Sequence, residues 1–146
     1  MKEGLRFEDF SPDGIYRTNA RTVTEADLVN FVGLCAFYEP LFTDKEFVEK
    51  HTHFKKRIVP GALTFSFAEG LSILSGILHR TGMAFLGLEL QIFNPVFIGD
   101  TISVEIKVLE KRETSKPDRG IVTFVHEVRN QKEDVVMEYT LSLIHI

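Results

Sequence analysis

The chain has 146 residues, the size of one ordinary domain, and its composition of 44% hydrophobic and 26% charged residues is that of a globular protein. Seventeen basic and twenty-one acidic residues give a net charge of −4, which disfavours binding to a nucleic-acid backbone. The single cysteine excludes an intramolecular disulfide and a cysteine-rich zinc site. The charged opening lacks the apolar core of a signal peptide, so we expect one cytoplasmic domain over residues 1–146.

The first forty residues predict a strand, a turn and a capped helix. Thr24 and Asp27 have the spacing of a capping box, in which each side chain accepts the backbone N–H of the other residue. Apolar residues at helical spacing follow, and Gly33 predicts the end of this helix. Residues 34–57 are irregular and end in a basic triplet.

A long apolar segment follows, in which Glu69 is the only charge between residues 62 and 78. Pro60 and Gly61 mark the start of the helix, which we expect to run to about His79. The segment is shorter than the roughly 18 apolar residues of a membrane span and carries a carboxylate near its middle. It therefore predicts a long helix that is apolar nearly all round and buried, with no membrane contact.

The second half of the chain alternates between apolar and polar residues, which predicts strands at residues 86–93, 102–108, 122–128 and 135–143. Their spacing is that of a meander. An antiparallel sheet wrapped around one long central helix is an α+β arrangement. Because this core is small and the sheet has an open edge, we expect a homodimer or a larger homo-oligomer.

Four segments together resemble the MaoC-like hydratases and dehydratases: residues 21–28, 39–44, 57–61 and 94–102. The resemblance covers nearly the whole chain and implies the hot-dog fold, in which a sheet wraps a central helix. It also implies an acyl-CoA or acyl-carrier thioester as the substrate, with hydration of an enoyl thioester or the reverse dehydration in fatty-acid metabolism. We expect no metal and no other cofactor.

The resemblance breaks at the catalytic segment, where active members carry Gly-Asp-x-Asn-Pro-x-His. Pro40 anchors the alignment. Phe37 then falls at the Asp position and Phe42 at the His position, while Glu39 replaces the Asn. Phenylalanine cannot transfer a proton, and such transfers contribute about 10²–10⁴ in rate. Together with Tyr38, these rings predict an apolar substrate-binding site that suits an acyl chain better than a reacting water.

The start of the long helix keeps its match to the family. There, the glycine corresponding to Gly61 directs its backbone N–H at the thioester carbonyl, and a helix N-terminus stabilises negative charge on that oxygen. Pro60 precedes this glycine, and Arg57 with its neighbouring lysines could meet the phosphates of coenzyme A. A tight helix start and a solvated basic stretch are the simpler explanations of these residues.

Glu69 suggests a different enzyme, because some hot-dog thioesterases place a base or nucleophile about eight residues after that glycine. The alternative is a structural carboxylate paired with a cation or bonded to Ser66 or Ser72. Glu39, Tyr38 and His53 are the candidate acid–base groups for hydration, in place of the missing pair. Three hypotheses remain: a hydratase or dehydratase, a thioesterase, and a non-catalytic thioester-binding protein or subunit.

Overall fold

The structure, a computed structural model, describes residues 2–146. Its helices are α1 (Glu25–Cys35), α2 (Pro40–Thr43), α3 (Lys45–His51) and α4 (Gly61–Leu74). Its strands are β1 (Ile15–Arg17), β2 (Arg21–Thr22), β3 (Gly82–Ile92), β4 (Thr101–Glu113), β5 (Gly120–Arg129) and β6 (Val135–His145).

The strands form an antiparallel sheet in the order β1-β4-β5-β6-β3, and β2 also pairs with β4. The last three strands form the expected meander. The expectation was wrong for β3, which pairs with β6 instead of β4. The short strands β1 and β2 occupy the other side of β4, so β3 lies at the far edge of the sheet.

The core lies between α4 and the inner face of the sheet. The predicted alternation is clearest in β4 and extends through β5 and β6, where apolar residues at alternate positions are buried. From α4, Leu63, Ala68 and Leu71 complete this core. Burial of each large apolar side chain stabilises the fold by about 1.5–3 kcal/mol. The α+β arrangement of a sheet around one central helix is thus present.

The start of α1 confirms the capping box. The hydroxyl of Thr24 accepts from the backbone N–H of Asp27 at 3.2 Å, and the Asp27 carboxylate accepts from the N–H of Thr24 at 2.9 Å. The helix ends two residues later than expected from Gly33. At Ala36 the backbone becomes left-handed, with φ 58°, and its N–H bonds to the carbonyl of Val32. This reversal directs the chain into α2.

The central helix differs from its prediction in length and in burial. It ends at Leu74, before His79, and Gly76 adopts a φ of 84° in the turn that follows. Ile73 and Leu74 are 62% and 75% exposed, so α4 is not buried all round within this chain. The sequence indicated apolar character correctly, but it did not show which face this chain leaves uncovered.

Strand β3 is exposed on both faces over nearly its whole length. Large apolar side chains are uncovered there: Met83, Phe85, Leu86, Leu88 and Ile92. Since β3 is an edge strand, one row of its backbone groups pairs with β6, and the other row has no strand beside it among the described residues. An apolar, unpaired edge is the kind of surface that a further strand covers.

Candidate active site

The segment after α1 brings together Phe37 and Phe42, the two residues that the sequence resemblance aligns with a catalytic pair. Pro40 opens α2, and the carbonyl of Glu39 accepts from the backbone N–H of Phe42 at 2.8 Å. This turn places the rings of Phe37 and Phe42 with their centroids 6.0 Å apart. Phe31 of α1 packs against Phe37 at 5.2 Å. Phe31, Phe37 and Phe42 thus form an aromatic cluster at this turn.

A cleft of about 290 Å³ lies beside this cluster, between α1 and α2. Tyr38, Phe42 and Arg57, three residues that the sequence assigned to substrate binding, line it together. The rest of the lining is mostly apolar and comes largely from α1: Leu28, Val29, Val32, Gly33 and Thr43. The arrangement suits an apolar or mixed group better than a charged one.

A second cleft, of about 340 Å³, shares Arg57 with the first and has a basic lining. Lys45, Lys55 and Lys56 supply the other positive charges, while Glu25 and Glu49 supply negative ones. Arg57 donates to the Glu25 carboxylate at 2.6 Å. The Lys56 ammonium lies 4.3 Å from the centre of the Phe97 ring, a cation–π contact. Arg57 therefore stands between an apolar cleft and a basic one.

Pro60 and Gly61 begin α4 as expected, and the first N–H groups of a helix have no partner within it. Packing is a second reason for a glycine at position 61. A Cβ at this position would come within 2.5 Å of Cδ1 of Ile92, so a larger residue would force the end of that exposed side chain to move. Neither of the two clefts includes Pro60 or Gly61. The structure is thus compatible with both interpretations of Pro60 and Gly61, as a tight helix start and as the site of a backbone N–H donor.

The other two candidate acid–base residues lie on exposed segments. Glu39 precedes α2 with an exposed side chain, and it uses its backbone carbonyl, not its carboxylate, to bond the residues that follow. The exposed His53 packs its ring against Phe54 at 4.1 Å. His53 follows α3 by two residues, since that helix ends at His51. Within residues 2–146 neither candidate makes a side-chain hydrogen bond.

Glu69 belongs to a buried polar cluster between α4 and the sheet. The hydroxyl of Tyr139 on β6 donates to Oε1 of Glu69 at 2.7 Å. Nε2 of His126 on β5 lies 3.7 Å from the same oxygen, and its ring stacks on that of Tyr139 at 4.4 Å. We call Glu69, His126 and Tyr139 the buried triad.

Burial shifts the titration of the buried triad. It raises the pKa of the Glu69 carboxyl above its usual range, and the hydrogen bond from Tyr139 offsets this only in part. It lowers the pKa of His126 to about 3, so the imidazole is neutral near pH 7. At 3.7 Å a neutral imidazole and a carboxylate form neither an ion pair nor a hydrogen bond.

The sequence did not identify the partners of Glu69. Ser66 and Ser72, the expected neighbours, donate instead to the backbone carbonyls of Ala62 and Ala68. No lysine or arginine of the described chain pairs with Glu69. The alternating pattern of β5 and β6 indicated that His126 and Tyr139 point into the core. It did not show which residue of α4 they would meet there.

No three histidine, cysteine, aspartate or glutamate side chains of the described residues cluster closely enough to hold a metal ion. Among those residues, every helix is too short or too polar to cross a membrane.

The sequence model of the MaoC like domain matches residues 9–130. The chain belongs to the MaoC-like family. This confirms the resemblance carried by the four sequence segments.

Two relatives are similar to this MaoC-like chain over most of its length. Protein MaoC of Klebsiella aerogenes is 37% identical over 115 residues, which are 78% of this chain and 33% of that protein. The chain therefore spans about a third of that relative's length. The (R)-specific enoyl-CoA hydratase of Rhodospirillum rubrum is 30% identical over 118 residues, 81% of this chain and 76% of that protein.

Solved structures confirm the hot-dog fold. A monoamine oxidase regulatory protein from Archaeoglobus superimposes with a TM-score of 0.91 at 34% identity, over 99% of this chain and 95% of that one. A Mycobacterium tuberculosis protein with a double hotdog fold aligns with a TM-score of 0.87 at 18% identity, over 97% of this chain and 44% of that one. The second match supports the fold alone.

Proposed function

We propose that this MaoC-like protein binds acyl-CoA or acyl-carrier thioesters and that its reaction, where it has one, is the addition of water to an enoyl thioester or the reverse. The observation that carries the proposal is the position of Arg57, which joins an apolar cleft to a basic cleft. A thioester of coenzyme A has the same two halves, because its acyl end is apolar and its nucleotide end is anionic. The family's named hydratases support the same substrate class.

The chemistry defines what any replacement for the missing pair must do. Hydration adds hydroxide to the β-carbon and a proton to the α-carbon. A base must therefore take a proton from the attacking water, and an acid must deliver a proton to the α-carbon. Phe37 and Phe42 can do neither. We propose Glu39, Tyr38 and His53 as the candidate acid–base groups for hydration. The Gly61 N–H is the proposed donor to the thioester oxygen on which negative charge develops.

Mass spectrometry of the purified protein with enoyl-CoA and saturated acyl-CoA thioesters tests this proposal. Gain of one water on the enoyl substrate would identify a hydratase. We expect Arg57→Ala to weaken coenzyme A thioester binding about tenfold, since it removes a charge-assisted contact. Arg112→Ala, a change at an exposed residue of β4 outside both clefts, is the matched control. Equal affinity in both variants would contradict the assignment of Arg57.

The second candidate function is a thioesterase that uses Glu69 and Gly61. Its support is the raised pKa of the Glu69 carboxyl, which suits a base near neutral pH. Eight helical residues at about 1.5 Å each separate the two positions by about 12 Å, too far for both to act on one carbonyl within a single chain. Release of free coenzyme A that Glu69→Gln abolishes would favour this function, and unchanged release would end it.

A non-catalytic thioester-binding protein, or a subunit that needs an active partner chain, is the remaining alternative. Its support is the aromatic pair at the catalytic positions, because Phe37 and Phe42 exclude water from the site instead of activating it. Calorimetry that measures binding of an acyl-CoA, with every thioester recovered unchanged, would favour this alternative. Absence of any binding would contradict all three functions.

A further inference from the structure

The basic cleft holds more positive charge than the fold itself neutralises. Four basic and two acidic side chains line it, although the whole chain carries a net charge of −4. Arg57 is paired with Glu25. The other three basic residues, Lys45, Lys55 and Lys56, form no ion pair within residues 2–146. An excess of positive charge in a concave site attracts an anionic ligand.

Neutral groups hold the ammonium groups of Lys55 and Lys56 in place. Nζ of Lys55 donates to the backbone carbonyl of Glu49 in α3 at 3.1 Å. The Lys56 ammonium lies over the ring of Phe97. Neither contact removes a charge, and each restrains the side chain beside the cleft. An anion that binds there therefore orders fewer side chains than it would on a mobile basic surface.

The backbone of the basic segment is held against the loop that precedes β4. Ile58 pairs with Phe97 in an isolated antiparallel bridge. At Lys55 the backbone is left-handed, with φ 63°, a conformation that residues other than glycine rarely adopt. Strained residues of this kind cluster at ligand-binding sites. The lysines and the aromatic ring of the cleft are thus positioned together before a ligand binds.

The nucleotide end of coenzyme A has the chemistry that this lining suits. It carries a diphosphate, a further phosphate on the ribose and an adenine ring, whereas the arm of an acyl carrier protein carries a single phosphodiester. Lysine binds phosphate as a point charge, and aromatic rings such as Phe97 stack with bases. The cleft volume of about 340 Å³ falls within the range of small-molecule sites.

An acidic carrier protein is the competing partner, because lysines attract its surface as well. Two observations favour the nucleotide. The unpaired charges lie around a cleft, which encloses a compact polyanion better than it fits the surface of a protein. The net charge of −4 repels an acidic protein at long range, outside the reach of the local lysines.

We propose that the basic cleft binds the nucleotide end of coenzyme A and makes this protein selective for coenzyme A thioesters over carrier-protein thioesters. The rest of the thioester leaves the basic cleft past Arg57 toward the apolar cleft. This inference rests on the proposed function and deepens it, because it names which of the two thioester classes binds.

Calorimetry with S-octyl-coenzyme A and S-octyl-phosphopantetheine tests the selectivity without turnover, because these thioethers have no thioester to hydrate or hydrolyse. We expect the coenzyme A derivative to bind the intact protein at least about a hundredfold more tightly, since hydrogen bonds to charged groups are the stronger class. S-octyl-dephospho-coenzyme A, which lacks only the ribose phosphate, should bind about tenfold more weakly than S-octyl-coenzyme A.

The double variant Lys45→Gln with Lys56→Gln should lower this hundredfold preference at least about tenfold. It keeps Lys55, whose bond to α3 stays intact. The matched control is Lys50→Gln with Lys132→Gln, which removes the same charge from two exposed lysines outside the basic cleft. We expect the control to keep the full preference, because general attraction between the protein and an anion does not produce it.

Equal binding of the three thioethers would overturn this inference while leaving thioester binding in place. A preference that the two double variants lower by the same factor would overturn it as well. Tighter binding of an acyl carrier protein that bears the same S-octyl arm would reverse the selectivity. If none of these ligands binds, the proposed function fails and the inference fails with it.

Discussion

Single residues of the buried triad couple the stability of this fold to pH in opposite directions. The pKa of Glu69 is raised by burial, so its folded form holds a proton more tightly than its unfolded form does. The pKa of His126 is lowered to about 3, so its folded form holds a proton less tightly. Each unit of difference in pKa between the folded and unfolded forms corresponds to about 1.4 kcal/mol of unfolding free energy.

Replacing Glu69 by Gln should stabilise the protein as the pH rises. A carboxyl with a raised pKa contributes stability below its unfolded pKa and loses it as the pH rises through the folded value. Gln is neutral throughout and can still accept from Tyr139. At pH 8 we expect Glu69→Gln to raise the unfolding free energy by about 1 kcal/mol relative to the unmodified protein, and to have little effect near pH 4. Urea denaturation at pH 8 and pH 4 measures the unfolding free energy. Glu138→Gln, next to Tyr139 on β6 but on the opposite face of the sheet, should not change the pH dependence of that free energy.

Replacing His126 by Phe should remove part of the sensitivity to acid. The unfolded imidazole takes up a proton near pH 6.5, whereas the folded one resists until about pH 3. Its contribution to stability is therefore complete above pH 6.5 and is lost as the pH falls through that window. The Tm of the unmodified protein should fall several degrees more than that of His126→Phe between pH 7 and 4.5. His51→Gln is the exposed control, and parallel Tm curves for all three proteins would refute the prediction.

At the scale of helices and strands, the sequence predicted those features that depend only on residues close together in the chain. The capping box of α1 was predictable because Thr24 and Asp27 bond each other across three residues, with no help from distant parts of the chain. The partner of β3 was not, because pairing with β6 depends on which side of β4 the first strands occupy. The same difference between local and distant contacts decides which parts of the candidate site were predictable. Phe37 and Phe42 meet within one turn, whereas Glu69 meets Tyr139 only after the whole sheet has formed.

The turn between α1 and α2 allows the family's catalytic pair to be tested by restoration. Its backbone is set by the reversal at Ala36 and by Pro40, so changes to the side chains of Phe37 and Phe42 should leave its path intact. We expect Phe37→Asp combined with Phe42→His to raise enoyl-CoA hydration by at least about a hundredfold. Each single change should give little, because the two groups move different protons. A double variant that folds and shows no turnover would mean that the pair does not face the substrate here.

At the scale of the whole molecule, exposed apolar side chains concentrate on β3 and also occur at the end of α4. Ile73, Leu74 and the side chains of β3 are exposed together, although soluble monomers rarely leave so much apolar surface along a free strand edge. We propose that two copies cover it by joining their sheets at β3. A stable interface of this kind buries about 1,200–2,000 Å² in total.

A charge placed on β3 should therefore separate the copies. Phe85 is 53% exposed within this chain, and Lys at that position would be buried unpaired in the joined sheet. We expect Phe85→Lys to raise the dimer dissociation constant by at least about a hundredfold, a cost of about 3 kcal/mol. Light scattering during gel filtration measures the mass directly. Leu109→Lys is the matched control, because Leu109 is equally exposed, at 56%, but lies on β4 away from the free edge. If the two variants and the unmodified protein have the same mass at every concentration, β3 is not the interface, and the exposed end of α4 must be covered in another way.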